Sequence, residues 1–253
     1  MNLFDLSSKN ILITGANRGM GYSLAEGLAA HGARIFVNNR DLAVAQQAAA
    51  KLRDQGYRAE AVAFDVTQSE QIIQAVEFIE SELGPIDVLI NNAGIQCRHP
   101  LLDFPEADWD RVIEVNQKGV FLCTQAVAKA MAPRQAGKII NIASMQAELG
   151  RETITPYAAS KGAVKMLTRG ACVELAKHNI QVNAIAPGYF KSDMTQSQVD
   201  DPAFTAWLCN RTPAKRWGEL QELIGTAVYL ASDASNFVNG QLIFVDGGMR
   251  AAV

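Results

Sequence analysis

Long apolar runs are missing from this chain. No stretch of about 18 consecutive apolar residues occurs, so no membrane-spanning helix and no membrane partner are expected. Cysteine is sparse: Cys97, Cys123, Cys172 and Cys209 lie far apart among apolar residues and form no Cys-x-x-Cys. That excludes a disulfide framework and points to free thiols in a reducing cytoplasm. His31, His99 and His178 are equally scattered, so no metal site is expected. A basic excess is absent too. Lys and Arg number 23 against 26 Asp and Glu, and without a basic stripe nucleic acid is not an expected partner. The first ten residues lack the apolar core of a signal peptide, which fits a cytoplasmic protein. No repeat, low-complexity tract or linker interrupts the chain, so residues 1–253 read as one domain.

What the chain has is alternation. Short apolar strands at about 10–14, 33–38, 59–64, 86–90, 138–143, 180–185 and 241–245 are separated by helical stretches. The helices fall at about 21–31, 42–55, 67–83, 106–132, 155–178 and 219–231, and a long irregular segment covers 187–217. Thr67 and Glu70 have capping-box spacing. About seven strands alternating with helices predict an α/β fold: a doubly wound, Rossmann-type parallel sheet with helices on both faces and right-handed crossovers.

The strand ends carry the chemistry. After the first strand comes Gly15-Ala16-Asn17-Arg18-Gly19-Met20-Gly21, opening a helix. Glycines there let the backbone turn tightly and approach a pyrophosphate resting on the helix N-terminus. The second strand ends in Asn38-Asn39-Arg40, where a carboxylate usually holds the adenine ribose. Without that acid, Arg40 and Arg18 suit a 2′-phosphate, so NADP is expected, with NAD the weaker alternative. Asp41 could soften the preference, and both arginines could simply be solvated. Asp65-Val66 ends the third strand and either meets the adenine or caps the succeeding segment. Asn91-Asn92-Ala93-Gly94, ending the fourth, offers small residues for the cofactor to cross.

Tyr157 and Lys161 are four apart, hence on one helix face, with Pro156 suited to the first turn. A phenol beside an ammonium ionises more easily and can exchange a proton with a substrate oxygen. Ser144, just past a buried strand, could hydrogen-bond the same oxygen. Asn116 is either a buried amide or a reorganiser of helix hydrogen bonds around a water.

In this order, Thr14-Gly15-x-x-x-Gly19-x-Gly21, Asn91-Asn92-Ala93-Gly94, Asn116, Ser144, Tyr157-x-x-x-Lys161 and Pro187-Gly188 resemble the short-chain dehydrogenase/reductase family over nearly the full length. The resemblance implies Tyr157 as general acid/base, Lys161 lowering its pKa and holding the nicotinamide ribose, Ser144 orienting the substrate oxygen, and Asn116 anchoring a proton relay. It implies cofactor contacts from Pro187, Gly188, Phe190 and Ser192, the last standing where the family has Thr. It also implies a homo-oligomer, a tetramer or a dimer.

Within the family, the chain is similar to sugar-acid dehydrogenases in Gly94-Ile95-Gln96-Cys97-Arg98-His99-Pro100, Ser144 to Arg151, Pro187-Gly188-Tyr189-Phe190, Ala203 to Cys209, Arg211 to Ala214 and Arg216-Trp217-Gly218. Cys97 departs from the basic residue expected there. This likeness implies reversible hydride transfer between NADP(H) and the C5 position of a gluconate-type sugar acid. Arg98, Gln146, Glu148, Arg151, Lys191 and Arg211 supply polar groups on the substrate side, and Arg98, Gln146, Arg151 and Tyr189 are the expected contacts alongside Ser144 and Tyr157. A 3-oxoacyl-carrier-protein reductase or other ketoreductase is the alternative, and a non-catalytic NADP-binding redox sensor the more distant one.

Overall fold

A computed structural model describes residues 2–252. Seven strands, β1 (Asn10–Ile13), β2 (Arg34–Asn39), β3 (Ala59–Ala63), β4 (Val88–Asn91), β5 (Gly137–Ile142), β6 (Ile180–Pro187) and β7 (Leu242–Val245), form one parallel sheet in the order β3-β2-β1-β4-β5-β6-β7. The order reverses between β1 and β4, whose register pairs Ile11 with Val88 and Ile13 with Ile90. At this reversal the flanking crossovers leave on opposite faces and open a crevice at the carboxyl ends of the strands.

The helices are α1 (Gly19–Ala30), α2 (Leu42–Asp54), α3 (Ser69–Phe78), α4 (Glu106–Ile113), α5 (Gly119–Arg134), α6 (Thr155–Leu175), α7 (Gln196–Val199), α8 (Pro202–Arg211) and α9 (Ile224–Ala231). Side chains alternate across a strand, so β1 feeds two cores. Ile11 and Ile13 pack with Leu24, Leu28, Leu52 and Val228 from α1, α2 and α9. Leu12 points the other way, to Val76 and Val127 of α3 and α5. Both faces are covered, which is why the inner strands read as unbroken apolar runs. None of the helices among the described residues is long and apolar enough to cross a membrane.

Three expectations need correction. The segment 187–217 is not irregular throughout, because it contains α7 and α8. Asp201 caps α8, accepting from the Ala203 and Phe204 N–H groups at 2.9 and 3.2 Å, and Pro202 fits the first turn. The Thr67–Glu70 capping box does not form. Thr67 donates its N–H and hydroxyl to Asp65 Oδ1, each at 2.9 Å, and α3 starts later without a side-chain cap. The local Asp turn outcompetes the helix for that hydroxyl. A reciprocal box instead joins Glu219 and Glu222 before α9.

The long helix expected over 106–132 is α4 and α5 joined by a π-helical turn, Glu114–Lys118, with Asn116 at its centre. Such turns free backbone groups and cluster at functional positions.

Candidate active site

The cofactor cradle is built from the ends of β1 and β4. Gly15 and Gly19 hold φ of +64° and +54°, where an L side chain is strained. A Cβ on Gly21 would lie 2.5 Å from both Asn92 Nδ2 and the Gly15 carbonyl, so only glycine lets the turn close here. Asn92 donates from Nδ2 to the carbonyls of Thr14 and Gly15 at 2.9 and 3.1 Å, and the Ala93 N–H donates to Thr14 Oγ1 at 3.0 Å. Met20 packs beneath the turn. Helix α1 starts at Gly19 with Arg18 at its N-cap and no side-chain cap, so its first N–H groups point outward for an anion. A closely approached glycine backbone and an uncapped helix start fit a dinucleotide pyrophosphate.

Around the ribose position, Asn39 donates to Asn17 Oδ1 at 2.8 Å and accepts from the Asp41 N–H. Asp41 caps α2, with one carboxylate oxygen accepting from the Ala43 and Val44 N–H groups. Arg18 and Arg40 are both exposed. Asp65 turns one oxygen back to Thr67, and buried Val66 lies against Gly119. On the far side, the Gly188 N–H donates to Val245 at the end of β7, and a Cβ on Gly188 would come within 2.7 Å of Asp246. Pro187 ends β6, Phe190 is buried against Gly218, and Ser192 bonds Thr195.

Ser144, Tyr157, Lys161 and Asn116 come together where β5 meets α6. Asn116 is fully buried. Its Oδ1 accepts from the Ile95 N–H at 2.8 Å, and its Nδ2 donates to the Ile95 carbonyl and to Ser160 Oγ. It therefore ties the segment after β4 to α6, where Ser160 hydrogen-bonds the Tyr157 carbonyl at 2.7 Å. Ser160 carries no sequence signal, because its role depends on a helix 44 residues away.

Lys161 is buried and donates to the Ile142 carbonyl at 2.6 Å. Burial pulls its pKa down to about 8. Its Nζ lies 5.7 Å from the Tyr157 ring centroid. Burial also pushes the Tyr157 phenol up, while the neighbouring Ser144 hydroxyl and the Arg98 charge pull it down. Ser144 and Arg98 thus act on the phenol against the effect of burial. Ser144 accepts from the Gln146 N–H at 3.2 Å and donates to the Gln146 side-chain oxygen.

Beside these groups opens a cleft of about 610 Å³. Gln146, Arg151, Thr153, Tyr189, Phe204 and Trp207 are among its walls. Three of the proposed polar groups, Arg98, Glu148 and Lys191, are not among its walls. Glu148 pairs with Lys165 and Arg250, and Lys191 pairs with Glu219, because each finds an opposite charge outside the cleft. Arg211 lines it and also donates to the Ala252 carbonyl. Phe204 and Trp207 were missed as site residues. Asp201-Pro202 signals the start of α8, but not that its aromatic face roofs the site.

Sheet order, the glycine cradle and the Ser144, Tyr157 and Lys161 cluster define a dinucleotide-dependent oxidoreductase fold, and a family model for short chain dehydrogenase matches residues 9–203. The chain belongs to the short-chain dehydrogenase family. It is 63% identical over 252 residues to 5-keto-D-gluconate 5-reductase of Escherichia coli (strain K12), covering 100% of this chain and 99% of that one. It is 49% identical to gluconate 5-dehydrogenase of Gluconobacter oxydans, over 100% of this chain and 98% of that one. A crystal structure of a gluconate 5-dehydrogenase from Burkholderia cenocepacia, in complex with NADP and tartrate, is 51% identical. It superposes with a TM-score of 0.98 over 100% of this chain and 99% of the other.

Proposed function

We propose that this protein catalyses reversible hydride transfer between NADP(H) and C5 of gluconate/5-ketogluconate. One observation carries the reading: Ser144, bonded to Tyr157 and to Gln146, joins the Tyr157–Lys161 pair to a cleft whose walls include Gln146, Arg151 and Arg211. The 63% identity to the 5-ketogluconate reductase supports the substrate, and the NADP and tartrate complex of the Burkholderia relative supports both the cofactor and a hydroxy-acid ligand.

When bound, the dinucleotide supplies or accepts the hydride. The protein does the rest. In the reduction direction Tyr157 gives its phenol proton to the C5 oxygen, and in oxidation it takes it back. Ser144 turns its hydroxyl from Gln146 to hold that oxygen. Lys161 donates to Ile142 at the end of β5 and would hold the nicotinamide ribose. Asn116, held by Ile95 and Ser160, anchors the relay that returns the proton. Arg18, Asn39 and Arg40 would hold the adenosine 2′-phosphate, Asp65 and Val66 the adenine, and Phe190 and Ser192 the nicotinamide.

The test is initial rates with 5-ketogluconate, NADPH against NADH, beside an acetoacetyl thioester. Turnover of the keto acid with NADPH supports the proposal. Turnover of the thioester alone replaces it with acyl reduction.

The protein also assembles with itself in this reading. Trp109, Phe121, Met166 and Val173 are exposed on α4, α5 and α6, and β7 leaves an unpaired sheet edge. Exposed apolar faces and free edges mark association surfaces. Light scattering is expected to give the mass of a tetramer or dimer, and Phe121→Glu to lower it. A monomeric wild type would overturn this. Residence in the cytoplasm fits the four unpaired cysteines and is checked by cell fractionation.

A further inference from the structure

Glu148 lies outside the cleft, yet three elements of the site meet at its side chain. One carboxylate oxygen accepts from Lys165 Nζ at 2.7 Å. The other accepts from the Arg250 guanidinium. The side chains of Glu148 and Lys165 keep only 20% and 21% of their surface exposed, so water and salt screen this pair less than an open surface pair.

The first element is α6. Tyr157, Lys161 and Lys165 recur every four residues and share one stripe of the helix. The second is the tight turn after β5. There the Ala147 N–H donates to the Ser144 carbonyl at 3.0 Å, and the Glu148 and Leu149 N–H groups both donate to the Met145 carbonyl at 3.1 Å. These bonds stiffen the turn, so a displacement of Glu148 carries to Ser144. Helix α6 passes in contact with it, since a Cβ on Gly162 would lie 3.8 Å from the Ala147 carbonyl. The third element is the chain after β7. Asp246 accepts from the Gly248 and Arg250 N–H groups, each at 2.9 Å. The resulting turn buries Met249 in one cluster with Met145 and sets the Arg250 guanidinium 4.3 Å from the Phe244 ring centroid.

We infer that Glu148 is a positioning residue: its carboxylate clasps the Ser144 turn to α6 and to the C-terminal segment, and so fixes the Ser144 hydroxyl against Tyr157. Lys165 and Arg250 are its two fastenings. A misplacement of about 1 Å at a reacting group can cost about 100-fold in rate, which is the leverage such a clasp has. The clasp rests on the roles proposed for Ser144 and Tyr157, and adds what sets their geometry.

The experiment compares wild type, Glu148→Gln and Arg250→Gln, each also in a Ser144→Ala background. Amide hydrogen exchange is read over residues 145–151 and 246–252, and kcat and KM are followed against pH in both directions. Glu148→Gln should speed exchange in both segments about tenfold. It should lower kcat about 10- to 50-fold and leave KM for the keto acid and NADPH within about threefold. Arg250→Gln should act in the same sense with a smaller effect. Burial raises the phenol pKa and the Ser144 hydrogen bond lowers it, ahead of the smaller effects of Tyr189 and Arg98. Loosening Ser144 should therefore move the alkaline rise of alcohol oxidation to higher pH. In the Ser144→Ala background, Glu148→Gln should change kcat less than about twofold, because its route to the phenol is already gone. Unchanged exchange would overturn the clasp, and so would a kcat loss that persists undiminished without Ser144 or leaves the alkaline limb in place. Arg250 is exposed, so its variant decides the matter if Glu148→Gln fails to fold. A wild type inactive on 5-ketogluconate would sink the substrate reading, and the exchange comparison would still decide the clasp.

Discussion

Replacing Tyr157 by Phe is expected to lower kcat about 10³-fold in both directions, with NADPH affinity changed less than about twofold. The substitution removes one oxygen and keeps the ring, so packing at the start of α6 survives. What is lost is the proton-exchanging hydroxyl that hydrogen-bonds Ser144. Burial pushes the phenol pKa up, and that sets the pH dependence. Ketone reduction needs the protonated phenol, which is present below that pKa. Reduction should therefore hold steady near neutral pH and fall at alkaline pH. Alcohol oxidation needs the phenolate and should rise over the same alkaline range. In Tyr157→Phe both limbs of the profile should vanish. Stopped-flow absorbance for turnover and fluorescence titration for NADPH check this, and retained turnover would remove Tyr157 from the mechanism.

The second large effect is expected at the adenosine end. Arg40→Ala should raise KM for NADPH about 10- to 100-fold and leave KM for NADH within about threefold, the signature of a lost guanidinium–phosphate contact. The structure sharpens this expectation. Asp41 is the nearest carboxylate in sequence, and one of its oxygens is engaged with the start of α2. Arg40 is exposed, so the variant costs the fold little. Equal changes for the two cofactors would refute the 2′-phosphate contact and leave Arg18 as the remaining candidate.

Sequence alone determined the layout. Short apolar strands alternating with helices could bury both faces of the sheet in only one class of fold, and glycine spacing after β1 marked the cradle because few other residues tolerate that backbone. Tyr157 and Lys161 were legible together because a helix repeats every 3.6 residues, so spacing alone puts them on one face.

Tertiary structure decided what depends on distant chain segments. Asn116 could be read either as a buried amide or as a functional one. Only packing brought it to Ile95 and Ser160 and opened the helix into a wide turn. The Tyr157–Lys161 spacing put both side chains on one face, but only packing brought the Ile142 carbonyl to the ammonium and Ser144 and Arg98 to the phenol. Glu148, Lys191 and Arg151 looked alike as charged residues near the substrate side. Folding gave the first two opposite charges of their own and surrounded the third with Tyr189, Phe204 and Trp207. Spacing encodes what lies on one element, whereas the partner of a charge is set by which elements meet, and that is known only once the chain has packed.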